Sequence, residues 1–272
     1  MMNYNKIIIL GSKGMLGQMV FSYFNKMSFN VVKYDKYFED SNFEKYVNEL
    51  NSFEDSIVIN CIGRIKQKSI NSHELLWSNT ILPIALLRSL KSTHLLIHPS
   101  TDCVFSGKIT NTYDIDHVHD ANDVYGWSKS LGESAIKNLH NSIILRVSII
   151  GPDKNSNKGL LSWFLNNQKG SILNGFSDHF WNGITTLEWC KQLKNIVEDS
   201  NLLKDCIEKK IIQLGTKTRY SKLEMLKIFN NIYEKNFIIN DVKSNYTNRC
   251  LNPMIISKSL ELQMKDLIEF EL

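Results

Sequence analysis

Short apolar runs alternate with amphipathic stretches through the first half of the chain. Residues 7–10 (Ile-Ile-Ile-Leu), 56–60, 95–99 and 143–147 are nearly apolar throughout. Runs that short with no polar face suit strands covered on both sides. Residues 30–34 (Asn-Val-Val-Lys-Tyr) read as another strand. Helical spacing fills the gaps at 15–26, 72–90 and 123–139. Strand and helix in strict alternation predict an α/β chain with a doubly wound parallel sheet. Periodicity weakens after Gly151. Residues 159–167, 187–198 and 222–233 still read as helices, and 211–215 as one more strand. No repeat or low-complexity linker divides the chain. We therefore expect a first domain over 1–150, rejoined by about 184–216, with a smaller interleaved lobe from 151–183 and 217–272.

The first strand runs directly into Gly11-Ser-Lys-Gly-Met-Leu-Gly17 and then a helix. That order suits a dinucleotide pyrophosphate. Gly11 permits the tight turn, Gly14 lets phosphate oxygens approach the backbone, and Gly17 brings helix and strand together. Met15 and Leu16 open the helix, whose first N–H groups and positive dipole end face the anion. Asp35, at the end of the second strand, is placed to accept the adenosine ribose hydroxyls. Its carboxylate favours NADH. Lys13 and Lys33 instead favour the 2′-phosphate of NADPH, so both cofactors are expected, with a modest NADPH preference.

Composition narrows the classes. With 272 residues and 43% hydrophobic content the chain can build a sizeable core. The net charge of +4 is dispersed, which points away from nucleic acid. No apolar run reaches membrane-spanning length, and the first strand begins too early for a signal peptide to precede it. Five cysteines without a Cys-x-x-Cys pair read as reduced thiols of a cytoplasmic protein. Asp114, Asp116, His117, His119 and Asp120 cluster in a loop but lack a metal-ligand scaffold, so no metal site is assigned.

Tyr125 and Lys129 lie i, i+4 on one face of the 123–139 helix. An ammonium near a phenol favours phenolate, which equips Tyr125 for proton exchange with a sugar oxygen. Among ten tyrosines and 32 basic residues, about one such pair arises by chance, so location carries the argument. Thr101 lies at the end of the fourth strand, where sheets of this kind bind ligands, and its hydroxyl can share a carbonyl oxygen with Tyr125.

The Gly-x-x-Gly-x-x-Gly spacing is that of extended short-chain dehydrogenases/reductases. Ser100-Thr-Asp-Cys-Val-Phe105 with Gly107, followed by Val124-Tyr-Gly-Trp-Ser-Lys129 and Gly132-Glu133, strongly resembles the dTDP-4-dehydrorhamnose reductases. Asn60-Cys61-Ile62-Gly63, Asn79 with Pro83, and Leu145-Arg146-Val-Ser148 fit the same resemblance. It implies a Rossmann-type fold and a substrate-binding C-terminal lobe. The implied activity is NAD(P)H-dependent reduction of a nucleotide-linked 4-keto-6-deoxy sugar for cell-surface polysaccharide. It also implies roles: Tyr125 as proton donor, Lys129 on the nicotinamide ribose, Thr101 completing the triad. Cys61, Ile62, Gly63 and Asn79 would line the cofactor, and Asp102, Cys103, Phe105 and Trp181 the sugar nucleotide. A homodimer is compatible with this. Trp163, Phe164 and Phe180 could stack or pack, and Arg146 could orient the site or form a structural salt bridge. Alternatives on the same fold are an epimerase/reductase, a dehydratase, or a non-catalytic dinucleotide-binding regulatory subunit. Cys103 stands where dehydratases carry a glutamate, and a thiol of ordinary pKa replaces that carboxylate poorly. His179 is the one candidate for a second acid in epimerisation.

Overall fold

The computed structural model describes residues 4, 6–39, 42–69, 71–153 and 158–271. The first half alternates as its apolar pattern predicts: β1 (Ile7–Leu10), α1 (Met15–Lys26), β2 (Val31–Tyr34), α2 (Phe43–Asn51), β3 (Ile57–Asn60), α3 (Ser72–Leu76), α4 (Leu82–Ser89), β4 (Leu95–Ser100), α5 (Val124–Lys137) and β5 (Ser142–Arg146). The second half holds shorter pieces: β6 (Ile149–Ile150), α6 (Leu160–Leu165), β7 (Ile172–Phe176), β8 (His179–Trp181), β9 (Ile184–Thr185), α7 (Thr186–Glu198) and α8 (Ser200–Lys209). It ends with β10 (Ile211–Thr216), β11 (Tyr220–Ser221), α9 (Lys222–Ile232), β12 (Ile238–Val242), β13 (Thr247–Asn248), β14 (Ile255–Ser257) and α10 (Leu260–Glu271).

Seven parallel strands make the central sheet in the order β14-β10-β5-β4-β3-β1-β2. The chain reverses direction across the sheet between β1 and β3, which opens a crevice at their carboxyl ends. Side chains alternate between two cores. Ile7, Ile9, Ile57 and Ile59 pack toward α1, α7 and α10, while Ile8, Leu10 and Val58 pack toward α2, α4 and α5. One boundary needs correcting. Residues 255–271, expected in the smaller lobe, return to the main sheet: β14 pairs in parallel with β10, and α10 packs on α7 and α9. The smaller lobe keeps the β7–β12 pair and the β11-β8-β13 sheet.

The helical stretch 72–90 is interrupted by a π turn over Trp77–Ile81. Pro83 has no N–H to give the carbonyl of Asn79, so a regular turn cannot close there. The freed carbonyl faces Gly132 of α5, where a Cβ would sit 2.0 Å from the Asn79 oxygen. Thr80 Oγ1 donates to the Ser128 carbonyl at 2.8 Å and ties the same turn to α5.

Candidate active site

Two clefts of about 400 and 450 Å³ meet along the carboxyl ends of the strands and share Cys61, Ile62, Gly63 and Arg64 as common wall. Together they form one groove suited to an extended, two-headed ligand. The second cleft is floored by the glycine turn. Gly11 takes φ +77°, and a Cβ on Gly17 would lie 2.2 Å from the Gly11 oxygen, so neither position accepts a larger residue without moving the turn. A Cβ on Gly14 would meet only the Gly11 and Cys61 oxygens, at 3.7 and 4.0 Å, and no side chain caps the α1 N-terminus. Its first N–H groups are left for an anion. Met15 and Leu16 border the adjoining cleft.

Asp35 borders the groove, but Ser12 holds its carboxylate: the Ser12 N–H donates to Oδ1 at 2.8 Å and its hydroxyl to Oδ2 at 2.7 Å. Lys13 lines the same cleft. Lys33 does not. Its ammonium lies 3.6 Å from the centroid of the Phe21 ring, so its proposed part in cofactor choice is withdrawn. Asn79 is buried and fully engaged. Its amide exchanges two 3.0 Å hydrogen bonds with the Arg64 backbone and donates to Ser128 Oγ, also at 3.0 Å. It braces the groove wall against α5.

Thr101, Tyr125 and Lys129 meet in the first cleft. Asp123 caps α5 by accepting the Gly126 N–H at 2.8 Å, which fixes where Tyr125 emerges. The Thr101 hydroxyl donates to Asp102 Oδ1 at 3.1 Å, and burial, which outweighs the opposing influence of that hydroxyl, holds the Tyr125 phenol above its ordinary pKa. The charge-coupled pair read from the sequence takes a different form here. Lys129 Nζ donates to the Pro99 carbonyl at 2.8 Å, and it is not among the groups that set the Tyr125 pKa. Burial brings the Lys129 pKa down to about 8 against the pull of Glu133. Tyr125 is therefore a neutral phenol near pH 7, the form that gives a proton to a developing alkoxide.

One turn beyond Lys129, Glu133 forms a buried ion pair with Arg146 and accepts the Ser100 hydroxyl at 2.6 Å. Burial opposes its charge, but hydrogen bonds from His119, Arg146 and Ser100 bring its pKa down to about 2. Arg146 also reaches Gln213 at 2.9 Å and lies 5.2 Å from the centroid of the Phe105 ring. It is a structural cation, not a substrate contact. Of the loop acids and histidines, Asp120 accepts both Ser106 donors, while Asp114 accepts the Asn252 amide on its carboxylate and donates its backbone N–H to His117 Nδ1. Among the described residues no three ligating side chains converge on a metal position.

The wall expected to face the sugar nucleotide differs from the sequence expectation at two places. Phe105 is fully buried and stacks on Tyr113 at 4.2 Å, and Trp181 is 3% exposed and packs in the core beside Tyr220. Neither ring faces the groove. Phe164 is likewise buried, whereas Trp163 is 40% exposed. Three cations escaped the sequence reading. Arg249 lines the first cleft, donating from Nε to the Phe105 carbonyl at 2.9 Å and reaching Cys103 Sγ at 3.9 Å. Lys222 sits among Asp102, Cys103 and Cys250, with burial lowering its pKa. Arg219 lies 4.2 Å from the centroid of the Phe180 ring and donates to the Thr110 carbonyl at 3.2 Å. No spacing distinguishes them among the chain's basic residues. Burial, with Asp102 adding to it, pushes the Cys103 thiol up to about 12. His179 stacks on Phe176 at 4.7 Å on the far strand.

The family described as RmlD substrate binding domain matches residues 5–172, more than half of the chain. Among curated protein sequences none matches. The fold is similar to the dTDP-4-dehydrorhamnose reductase of Bacillus anthracis solved with NADP, with a TM-score of 0.80, 18% identity, and coverage of 98% of this chain and 99% of that one. The Clostridium acetobutylicum dTDP-4-dehydrorhamnose reductase gives 0.78 at 17% identity over 98% and 99%. Bordetella bronchiseptica WbmG, solved with NAD and UDP, gives 0.76 at 12% identity over 98% and 95%.

Proposed function

The chain belongs to the RmlD substrate binding domain family, and from that premise we propose that it is an NAD(P)H-dependent reductase of a nucleotide-activated keto sugar, most simply a 4-keto-6-deoxyhexose. The observation that carries this reading is the meeting of Thr101, Tyr125 and Lys129 at the end of the glycine-floored groove, with Arg249 on the same cleft and Lys222 near its wall residues Asp102 and Cys103. The groove fits a dinucleotide, since no side chain caps the α1 N-terminus on its floor and Lys129 would lie at the nicotinamide end. The bound reduced nicotinamide supplies a hydride to the carbonyl carbon. Thr101 and Tyr125 hold the carbonyl oxygen, and as negative charge gathers there Tyr125 gives it the phenolic proton. An alcohol results, and Tyr125 recovers its proton from solvent. Lys129, anchored on the Pro99 carbonyl, holds the ribose. Lys222, Arg249 and Arg219 offer positive charge to the sugar's diphosphate, and Phe180 with Arg219 offers a flat surface to its base.

A thiol with a pKa near 12 keeps its proton, so Cys103 is a poor base beside the ketone. Reduction without epimerisation is the favoured outcome, and dehydration lacks its acid. The reading puts the protein in the cytoplasm, among the enzymes that furnish deoxysugars for cell-surface polysaccharide.

Oxidation of NADPH and NADH in the presence of nucleotide 4-keto-6-deoxyhexoses tests the proposal. Loss of nicotinamide absorbance with a product heavier by two hydrogens supports it. Deuterium at C3 or C5 after reaction in D₂O would make the enzyme an epimerising reductase. Dinucleotide binding with no turnover on the whole panel would favour a regulatory subunit.

A further inference from the structure

We infer that Arg64 reads the adenosine end of the dinucleotide and gives the protein its preference for a 2′-phosphate, while Asp35 serves as a latch on the glycine turn; this rests on the dinucleotide reading above. An acid at the end of the second strand ordinarily accepts the ribose hydroxyls. Here both of its oxygens are turned to Ser12, at 2.8 and 2.7 Å, and Ser12 is 5% exposed. The pair fastens the turn between Gly11 and Gly14 to the end of β2, a task that does not depend on which cofactor is bound.

The basic side chains near this end are not equivalent. Lys33 is spent on Phe21, Lys36 pairs with Glu49 on α2, and Lys13 already has a partner. The Arg64 guanidinium lines the same cleft as Asp35 and has no hydrogen bond or ion pair among the described residues. Its backbone is held on both sides by the Asn79 amide, at 3.0 Å each way, and Asn79 is held in turn by Ser128 of α5. The side chain therefore starts from a fixed point on the groove wall, and a planar fork of donors suits a phosphate monoester. Glu39 and Glu74 share a further cleft with Arg64 and are the acids that a phosphate must displace from the surroundings of that fork.

Calorimetric titration of NADP⁺, NAD⁺ and 2′,5′-ADP into wild type, Arg64→Ala, Arg64→Lys and Asp35→Asn separates the roles. We expect Arg64→Ala to weaken NADP⁺ and 2′,5′-ADP by about tenfold or more, the size of one charge-assisted hydrogen bond, and NAD⁺ by less than about twofold. Arg64→Lys should retain most of the NADP⁺ affinity. Asp35→Asn should weaken both dinucleotides by similar factors, as a loosened turn would. An equal loss of NAD⁺ and NADP⁺ in Arg64→Ala overturns the inference. So does a rise of about tenfold or more in the NADP⁺/NAD⁺ affinity ratio of Asp35→Asn. Failure of wild type to bind any dinucleotide would instead remove the cofactor reading itself. The Arg64 side chain is half-exposed, and circular dichroism of each variant confirms that the fold is intact before titration.

Discussion

The two ends of the groove are assembled in opposite ways. At the dinucleotide end the bracing contacts span shorter separations: Ser12 to Asp35 across 23 positions, Asn79 to Arg64 across 15 and to Ser128 across 49. At the sugar end Arg249 reaches back 144 positions to Phe105, and Arg219 reaches back 109 to Thr110. One end is a strand-turn-helix unit that any parallel sheet presents. The other is a set of single side chains on loops, each adjustable without disturbing the sheet. On the proposed function, chemistry common to many substrates sits at the rigid end and discrimination at the adjustable one.

That division predicts unequal penalties. The largest belongs to the reactive end of α5. Tyr125→Phe should lower kcat by about 10²–10⁴-fold while NADP⁺ affinity stays within about twofold, read by steady-state kinetics beside direct titration. Unchanged turnover would take the phenol out of the reaction and leave both ends as mere binding surface.

Next comes the buried ion pair on the same helix. Glu133→Ala leaves Arg146 buried without its counter-charge and should cost about 3–5 kcal/mol in urea unfolding. The folded Glu133 pKa is depressed to about 2, so its contribution is complete above about pH 5 and is lost as pH falls through 2. Wild type should weaken over that window, and Glu133→Gln should show a smaller slope. A parallel slope in the two proteins would mean that the pair is not the acid-sensitive element.

Lys129 gives an alkaline limb. Its pKa near 8 in the cofactor-free protein predicts that kcat/KM declines above about pH 8, as the ammonium proposed to hold the ribose loses its proton. The same depressed value makes folding stability rise with pH between about 8 and 10.5, because the unfolded chain then binds more protons. Lys129→Arg should flatten the kcat/KM limb; a limb that survives it belongs to another group.

At the sugar end the effects should be smaller and confined to binding. Arg219→Ala should raise the sugar-nucleotide KM by about 3–30-fold, the worth of one partly exposed ionic contact, with kcat and unfolding free energy nearly unchanged. A matching fall in kcat would mean that this end shapes the transition state after all. Smallest of all, Lys33→Ala should leave NADP⁺ affinity within about twofold, since its ammonium sits on Phe21 outside the groove.

Legibility in the sequence follows the same division. The alternation of β1 to β5 and the glycine turn are readable because each depends on local spacing, and the Thr101–Tyr125–Lys129 set because of where it falls along the strands and helices and the family motif it resembles. Asp35 shows the limit: its position is right, but a serine hydroxyl two places inside the turn competes for the carboxylate, and spacing cannot reveal that competition. Phe180 and Trp181 show another. Neighbours on a strand face opposite ways, and in the three-residue β8 no pattern says which one is inside. Trp181 went in and Phe180 stayed beside Arg219. β14 was missed because Ile255–Ser257 is too short to show a period, and only its pairing with β10 defines it.

The π turn at Trp77–Ile81 has a consequence for how this chain can vary over time. Such a turn holds about one residue more than a regular one, so α4 is rotated by roughly 100° relative to a helix continued directly from α3. Leu75 before the turn and Leu82, Ala85 and Leu86 after it are all buried, an arrangement that depends on that rotation. Substitutions within the helix can be absorbed by neighbours that shift slightly. A change in residue count cannot, because deletion of a single position would swing Asn79 off the Arg64 backbone and turn the apolar stripe of α4 toward water in the same stroke. Descendants of this sequence are free to drift in letters between 72 and 90, but not in length.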